Sequence, residues 1–324
     1  MKKTLSIAWA LICAHAALSQ DELASISPQW QLGDKRNIHL ETSAQVMLYD
    51  TVASKVDVVS DFRIKVVDTV ENYTLQYTQT KTNFKPAIDE EHPVFKSAND
   101  ITLFGLQKLE HKISSFEYAV LVKKQTGLAF ELSNQDEYKI FADSMALITV
   151  AEVQGVLNKL AARAGQSEVA LEKMQRILLP QFEAAQPQML QAAMNTLNLL
   201  LRAYSYEFPL DKSSSEKIMV DPVRELEAEE GVQYPATITL KSSKSKKELS
   251  GSSNLYYDNF FIYEQMRLQG LYLENIKAAD LSVVENADFV FDTKSSWIKT
   301  FESYSNVELP RLKTMNRTTV TFNK

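Results

Sequence analysis

The stretch FVFDTKSSWIKTFESY, residues 289–304, shows the pattern that decides how most of this chain folds. Phe289 and Phe291 are two residues apart, so both side chains fall on one face of an extended strand. Asp292 follows them and leads into the polar run TKSS, where we predict that its carboxylate accepts backbone N–H groups of a tight turn. The stretch therefore predicts a β-hairpin.

The strand after this turn carries apolar side chains on both of its faces. The alternation assigns Trp297 and Phe301 to one face together with Lys299, and Ile298 and Tyr304 to the other. Apolar residues on both faces predict a central strand that is covered on both sides. Within this hairpin we select Trp297 as the candidate ligand contact.

The same period of two dominates residues 37–134 and returns after Ser205. One example is IHLETSAQVML, residues 38–48. FFIYEQMRL, residues 260–268, could be a helix, but a strand is the preferred interpretation. Segments of this kind are typical of antiparallel strands with one buried face. The chain is therefore predicted to be rich in antiparallel β-structure on both sides of its middle third.

Residues 144–204 instead show the period of a helix, with apolar side chains at spacings of three and four. Gly165 is predicted to end a first helix and Pro180 a second, and Pro187 suits the first turn of a third. The predicted fold class is α+β. It comprises an antiparallel β-sheet system, a curved sheet or half-barrel, with a central helical block of about three helices.

Residues 1–19 have the layout of a secretory signal peptide: two lysines, an apolar run, and small residues that end at Ser19. Ile12 precedes Cys13, whereas a lipoprotein signal needs a small residue at that point, which argues against a lipid anchor. We expect an exported protein, periplasmic or extracellular, that has no cysteine and no transmembrane segment after cleavage. The predicted parts are a signal peptide at 1–19, a β-rich N-terminal part at 20–143, the helical block at 144–204 and a β-rich C-terminal part at 205–324. They form one composite domain or two.

The net charge of −6 argues against a nucleic-acid partner, because phosphate backbones require a basic surface. Lys241, Lys244, Lys246 and Lys247 form a basic run in an otherwise acidic chain. That run could contact an anionic lipid or polymer, but a solvated hairpin loop is the preferred interpretation, since lipid recognition needs a sustained basic cluster.

Motifs for catalysis, cofactors and metals are missing from the sequence. It contains no G-x-S-x-G motif and no glycine-rich phosphate loop. The run DEEHP, residues 89–93, lacks the alternate ligand spacing of a calcium loop and is interpreted as a solvated acidic loop. Glu227, Glu229 and Glu230 form a like-charge cluster, and Asn134 is interpreted as a residue that ends a strand and caps a helix. We predict no catalytic, cofactor-binding or metal-binding residue.

Two segments, GLAFELSNQDE at 127–137 and the hairpin at 289–304, carry a resemblance. The chain resembles uncharacterised secreted β-rich proteins of Bacteroidota, which carry domains of unknown function. The matching residues are Gly127, Glu131, Asn134, Glu137, Phe291, Asp292, Trp297 and Ile298. The resemblance implies an exported location and a β-rich architecture, and it implies no mechanism.

The sequence favours an exported, non-catalytic envelope protein that binds an apolar ligand, a lipid or a partner chain. One alternative is an extracytoplasmic hydrolase that acts through two carboxylates. It would gain support if two acids from different strands faced each other in a cleft and one had a raised pKa. A further alternative is a structural or adhesive surface component.

Overall fold

A computed structural model describes most of the chain. The described residues are 23–25, 27–85, 116–163, 165, 167, 170–205, 207–209, 213–220, 233–268, 276–309 and 311–323. The predicted signal peptide, the acidic run DEEHP and the glutamate cluster at 227–230 lie outside these residues.

Thirteen strands and three α-helices make up the described part of the chain. The strands are β1 (Leu23–Ser25), β2 (Lys35–Leu48), β3 (Thr51–Asp68), β4 (Tyr73–Lys85), β5 (Glu117–Val122), β6 (Ala129–Leu132), β7 (Glu207–Pro209), β8 (Ser213–Val220), β9 (Tyr234–Lys244), β10 (Glu248–Tyr257), β11 (Ser282–Asp292), β12 (Ile298–Leu309) and β13 (Leu312–Asn323). The helices are α1 (Gln135–Arg163), α2 (Leu171–Leu200) and α3 (Asn259–Leu268), and two 3-10 turns span Arg202–Ser205 and Ala278–Asp280.

Eleven of the strands are hydrogen-bonded in the order β6-β5-β4-β3-β2-β13-β12-β11-β10-β9-β8, and β1 pairs separately with β7. The strand pairs whose register is resolved are all antiparallel. The predicted dominance of antiparallel sheet is therefore confirmed.

The predicted central block of three helices is wrong. Two long helices occupy this part of the chain: α1 begins at Gln135 instead of Ser144, and α2 runs unbroken through Pro180 and Pro187. A proline inside a helix removes one backbone hydrogen bond, but the remaining bonds and the packing of α2 against α1 keep the helix continuous. None of the described helices is long and apolar enough to cross a membrane.

The segment FFIYEQMRL was also mispredicted, because it forms α3 and not a strand. Asp258 caps this helix: its Oδ1 accepts the backbone N–H of Phe261 at 3.0 Å. Ile262 and Met266 are four residues apart and both are buried. A period of four and an N-cap were therefore both present in the sequence, and they outweigh the apparent alternation.

The structure divides into two compact units. Unit 1 comprises the described parts of residues 1–30, 40–57 and 201–323, and unit 2 those of residues 31–39 and 58–200.

In unit 1, one face of strands β9–β13 is apolar and buried. Near the start of β9 it packs against α3, where Ile262 contacts a cluster that includes Tyr234 and Val283. Near the β11–β12 turn a second cluster is aromatic, and we call it the tryptophan cluster. Its members are Trp30, Tyr204, Phe291, Trp297 and Phe322.

The β11–β12 hairpin, which contributes Phe291 and Trp297 to the tryptophan cluster, contains a β-bulge that shifts the pairing of its two strands. Val290 lies opposite Thr300, whereas Phe291 lies opposite Ile298, so Lys299 is the extra residue. As a result Ile298 and Phe301 are both buried, together with Phe289 and Phe291. The assignment of Ile298 and Phe301 to opposite faces is wrong, because that assignment assumed uninterrupted alternation.

In unit 2, strand β6 is tied to α2 through an amide side chain. Asn198 Oδ1 accepts the backbone N–H of Ala129 at 2.8 Å, and its Nδ2 donates to the carbonyl of the same residue at 3.2 Å. Next to this junction Tyr77 stacks on Tyr118 with ring centroids 4.7 Å apart. Burial raises the pKa of both phenols, so they stay neutral in the core.

Candidate functional site

The face of β9–β13 opposite the apolar one is polar, and we call it the polar face. The register of the four strand pairs aligns five residues in one row across it, and they are Lys241, Ser252, Asp288, Glu302 and Thr319. Residues that lie opposite each other in antiparallel strands point to the same side of a sheet. The row therefore brings two carboxylates, one ammonium and two hydroxyls together from five strands.

A cleft of about 550 Å³ lies on this face, and we call it the polar cleft. Its lining consists of Lys241, Ser242, Ser243, Ser250, Gly251, Ser252, Asp288, Phe289, Val290, Thr300, Phe301, Glu302 and Thr319. Hydroxyl and charged side chains predominate in this set. Phe289, Val290 and Phe301 also contribute to the lining, so the cleft offers apolar as well as polar contacts.

Gly251 allows the ring of Phe289 to pack against the backbone of the sheet beneath the cleft. A Cβ atom at this position would lie 2.2 Å from Cζ of Phe289, which is buried on the apolar face. Because the ring of Phe289 fills the space over Gly251, the floor of the cleft is backbone supported from behind by an aromatic ring. Such a floor is well packed and holds the polar row in place.

The two carboxylates of the polar row differ in their surroundings. Glu302 accepts hydrogen bonds from the guanidinium of Arg317, with Nε at 2.8 Å. Asp288, directly opposite on β11, has no ion-pair partner among the described residues. Partial burial raises the pKa of Asp288, and the nearby charge of Glu302 raises it further. Asp288 is therefore more readily protonated than an ordinary aspartate.

Two amide side chains on the polar face hold acceptors that are not used within the described residues. The Oδ1 atoms of Asn286 and Asn306 are buried and accept no hydrogen bond. Asn286 lies opposite Tyr304, whose side chain is 37% exposed, in the row next to the polar cleft. Buried acceptors without donors are rare in folded proteins, and these two are buried too deeply for an external donor to reach them in this structure.

Trp297, the predicted ligand contact, lies in the tryptophan cluster and is 2% exposed. Its indole stacks on Trp30 with ring centroids 4.7 Å apart. The hydroxyl of Tyr204 donates to the carbonyl of Ser296 at 2.6 Å and accepts the N–H of Ile298 at 3.3 Å, which fixes the chain on both sides. A ligand contact at Trp297 stays a prediction, and it would require this cluster to open.

Two interpretations of polar side chains can be compared directly with their contacts. Asp292 Oδ1 accepts the backbone N–H of Lys294 at 2.9 Å and of Ser295 at 3.2 Å, as predicted for the turn. These bonds lower the pKa of Asp292. The Asn134 amide accepts the N–H of Ala119 at 2.9 Å and so secures β5, while its backbone carbonyl begins α1.

The histidines and acids of the described residues form no group of three or more that could hold a metal ion. His39 Nδ1 lies 2.7 Å from Oδ1 of Asp61, and both side chains are partly exposed. His92 of the acidic run DEEHP lies outside the described residues.

Sequence reasoning missed Asp288, Glu302 and Arg317. Each is a charged residue within a strand, which is a weak signal shared by many solvated positions. Only the register across the TKSS turn shows that the two acids face each other, and the bulge at Lys299 sets that register.

Comparisons with known proteins do not assign this chain to a family. No protein-family profile matches the chain, and no curated protein matches it. Among solved structures, one titled "Lipid-protein interactions in lipovitellin" is similar over 91% of this chain and 26% of its own, at 10% identity and a TM-score of 0.38. This chain thus spans about a quarter of the lipovitellin chain that it matches.

Proposed function

We propose that the protein is an exported binding protein that holds a hydroxyl-rich ligand, a saccharide, in the polar cleft. The observation that carries the proposal is the row from Lys241 to Thr319, in which groups of both charges and hydroxyls converge on one open cleft. Export rests on the leader pattern and remains part of the proposal.

The chemistry of the lining supports a saccharide over a wholly apolar molecule. Serine and threonine hydroxyls both donate and accept, and a carboxylate such as Asp288 accepts two hydrogen bonds from neighbouring hydroxyls. An apolar ligand would bury these groups without partners, at about 1–3 kcal/mol each. Tyr304 offers a half-exposed ring beside the cleft on which the C–H face of a sugar can pack.

A saccharide reaches an envelope protein from two sources, as a free glycan or as the headgroup of a glycolipid. The lipid that the sequence predicts as a ligand is compatible with the second source. Both present the same hydroxyl chemistry to the cleft, so the experiment must separate them.

Isothermal titration with neutral hexasaccharides (cello-, xylo-, malto- and chito-series) tests the free source. Flotation with phosphatidylcholine vesicles that carry digalactosyldiacylglycerol tests the headgroup. We expect one probe to bind wild type and to lose at least about tenfold in affinity with Asp288→Ala, because two charge-assisted hydrogen bonds are removed. Glu308→Gln, a change to an acid at the far end of the neighbouring strand β12, is the control and should bind normally.

Failure of every probe, or equal binding by a folded Asp288→Ala variant, would contradict the proposal. Far-UV circular dichroism of each variant distinguishes loss of the site from loss of the fold.

The facing acids specifically favour a second candidate, a hydrolase that cleaves a glycosidic bond. Carboxyl groups on directly opposed residues start from Cβ atoms roughly 4.5–5.5 Å apart, and retaining glycosidases hold their carboxyls about 5–5.5 Å apart. Asp288, with its raised pKa, would act as the acid, and Glu302 would act as the nucleophile. Release of reducing sugar that disappears with Glu302→Gln would support this function, whereas binding without turnover supports the first one.

A further inference from the structure

Two neighbouring turns of unit 1 bring lysines together at one end of the sheet. The turn between β9 and β10 and the turn between β11 and β12 are joined by backbone contacts. The N–H of Thr293 donates to the carbonyl of Lys247 at 3.0 Å, and its Oγ1 donates to the carbonyl of Lys246 at 3.3 Å. The lysines of this end are Lys244, Lys246, Lys247, Lys294 and Lys299, and we call them the lysine tip.

The acids at this end are already engaged. Glu248 binds Lys299 at 2.7 Å, and the Asp292 carboxylate accepts backbone N–H groups of its own turn. The side chains of Lys246, Lys247 and Lys294 have no ion-pair partner among the described residues, and all three residues are exposed. Within the described part of the chain, this end carries five lysines and two acids, which makes it positive in a chain whose net charge is −6.

The turns that carry these lysines are ordered by their own hydrogen bonds. Ser245 N–H donates to the Glu248 carbonyl at 2.8 Å, and Ser245 Oγ accepts the N–H of Glu248 at 3.0 Å. Asp292 fixes the second turn in the same way. Charges on an ordered scaffold lose less conformational entropy on binding than charges on a flexible loop. The basic run is therefore a structured feature, and the fold extends it with Lys294 and Lys299.

We propose that the lysine tip docks the protein on an anionic lipid surface. The tip is the exposed end of two hairpins and bears ammonium groups, which interact as point charges and suit a diffuse negative surface better than a single bidentate anion. Its five lysines meet the cluster size of four to eight that is typical of anionic lipid recognition. The acidic remainder of the molecule orients the tip toward the surface. The docking site is independent of the saccharide proposed for the polar cleft.

Sedimentation with vesicles tests this docking. The purified protein is mixed with phosphatidylcholine vesicles with or without about 30 mol% phosphatidylglycerol, in about 0.1 M salt or less. We expect binding only to the anionic vesicles. The triple variant Lys246→Glu, Lys247→Glu, Lys294→Glu should lower the partition coefficient at least about 30-fold, since each lysine near such a surface contributes roughly fivefold.

The matched control carries the same charge change on exposed lysines of unit 2: Lys139→Glu, Lys159→Glu, Lys173→Glu. It should retain most of the binding. Equal loss in the control would show that bulk charge drives the association, and absence of any lipid-dependent binding would show that the tip is not a membrane site. Preferred binding to dextran sulfate or duplex DNA over the vesicles would assign the tip to a soluble polyanion and overturn the proposal.

The charge-neutral variant Lys246→Gln, Lys247→Gln, Lys294→Gln covers the case in which the reversed charges prevent folding. It should reduce the partition coefficient in the same direction and leave the thermal unfolding midpoint unchanged. A folded glutamine variant that binds as tightly as wild type would contradict the role of these lysines.

Discussion

The two faces of strands β9–β13 share one backbone and differ in almost everything else. The buried face holds Phe289, Phe291 and Phe301, and Phe289 packs edge-to-face on Phe291 of the tryptophan cluster. The polar face carries the row that includes Asp288 and Glu302, residues directly adjacent in sequence to buried rings. Neighbouring residues therefore serve stability and recognition separately, and substitutions one position apart should separate the two roles.

The largest expected effect comes from Phe301→Ala compared with Thr300→Ala. Phe301 is 0% exposed, so its loss should destabilise the fold by about 3–5 kcal/mol through lost burial and a residual cavity. Thr300 lies next to it on the polar face, and its replacement should change the free energy of unfolding by no more than about 0.5 kcal/mol. Chemical denaturation measures both; similar losses would show that the faces are not separate.

A smaller effect is expected at Gly251, where the ring of Phe289 packs directly on the backbone of the sheet. Gly251→Ala forces a methyl group against the ring of Phe289 and should destabilise the fold by up to about 3 kcal/mol. The double variant with Phe289→Leu should show positive coupling, because the smaller side chain relieves the clash. Strictly additive losses would mean that the clash is relieved elsewhere.

Next in size is Tyr204→Phe, which keeps the ring in the buried cluster and removes one hydroxyl. That hydroxyl bonds Ser296, Ile298 and the indole of Trp30. Removing it leaves two buried donors without their acceptor, at about 1–2 kcal/mol. Wild-type stability of the variant would show that water replaces the hydroxyl. The near-UV circular dichroism of Trp30 and Trp297 reports whether the cluster stays packed.

The smallest expected effect comes from Asp292 in the turn between β11 and β12, and it depends on pH. The pKa of Asp292 is lowered in the folded state, first by the backbone N–H of Lys294. The stabilisation is therefore present above the unfolded pKa of about 3.9 and is lost as pH falls through the folded value. Asp292→Asn should be less stable than wild type near neutral pH, by less than about 1 kcal/mol because the group is solvated.

The difference between Asp292→Asn and wild type should shrink as pH falls below the unfolded pKa of about 3.9, and it should vanish only below the lowered pKa of the folded carboxylate. Unfolding midpoints measured across this range check the prediction. A difference that stays constant with pH would attribute the effect to turn geometry and not to charge.

Local patterns predicted those parts of the fold that local physics controls. The alternation in residues 289–292 and the capping role of Asp292 depend on neighbours in sequence, and the contacts agree with both. Continuity of α2 through Pro180 depends on packing against another helix, which no local rule contains. The strand interpretation of residues 260–268 was avoidable, since Asp258 and the spacing of Ile262 and Met266 indicated a helix.

The candidate site could not be predicted because it depends on the register in which β11 pairs with β12. Asp288 and Glu302 face each other only because Lys299 is an extra residue that changes the phase of β12 after the turn. A bulge leaves almost no mark on a single sequence, yet a shift of one residue moves every side chain of a strand to the other face. The acids were visible in the sequence, but their pairing was not.

Strand β8, the last in the strand order, has a consequence for how the molecule behaves in a crowded compartment. A terminal strand presents backbone donors and acceptors that could template another chain and seed aggregation. Here the strand reads SSSEKIMV, and three of its four exposed positions, Ser213, Ser215 and Lys217, are hydrophilic, whereas the fourth, Met219, is apolar. The charge of Lys217 on this edge strand opposes edge-to-edge growth. Replacing Lys217 with valine would place a second apolar side chain beside Met219 and favour edge-to-edge association between copies of the chain.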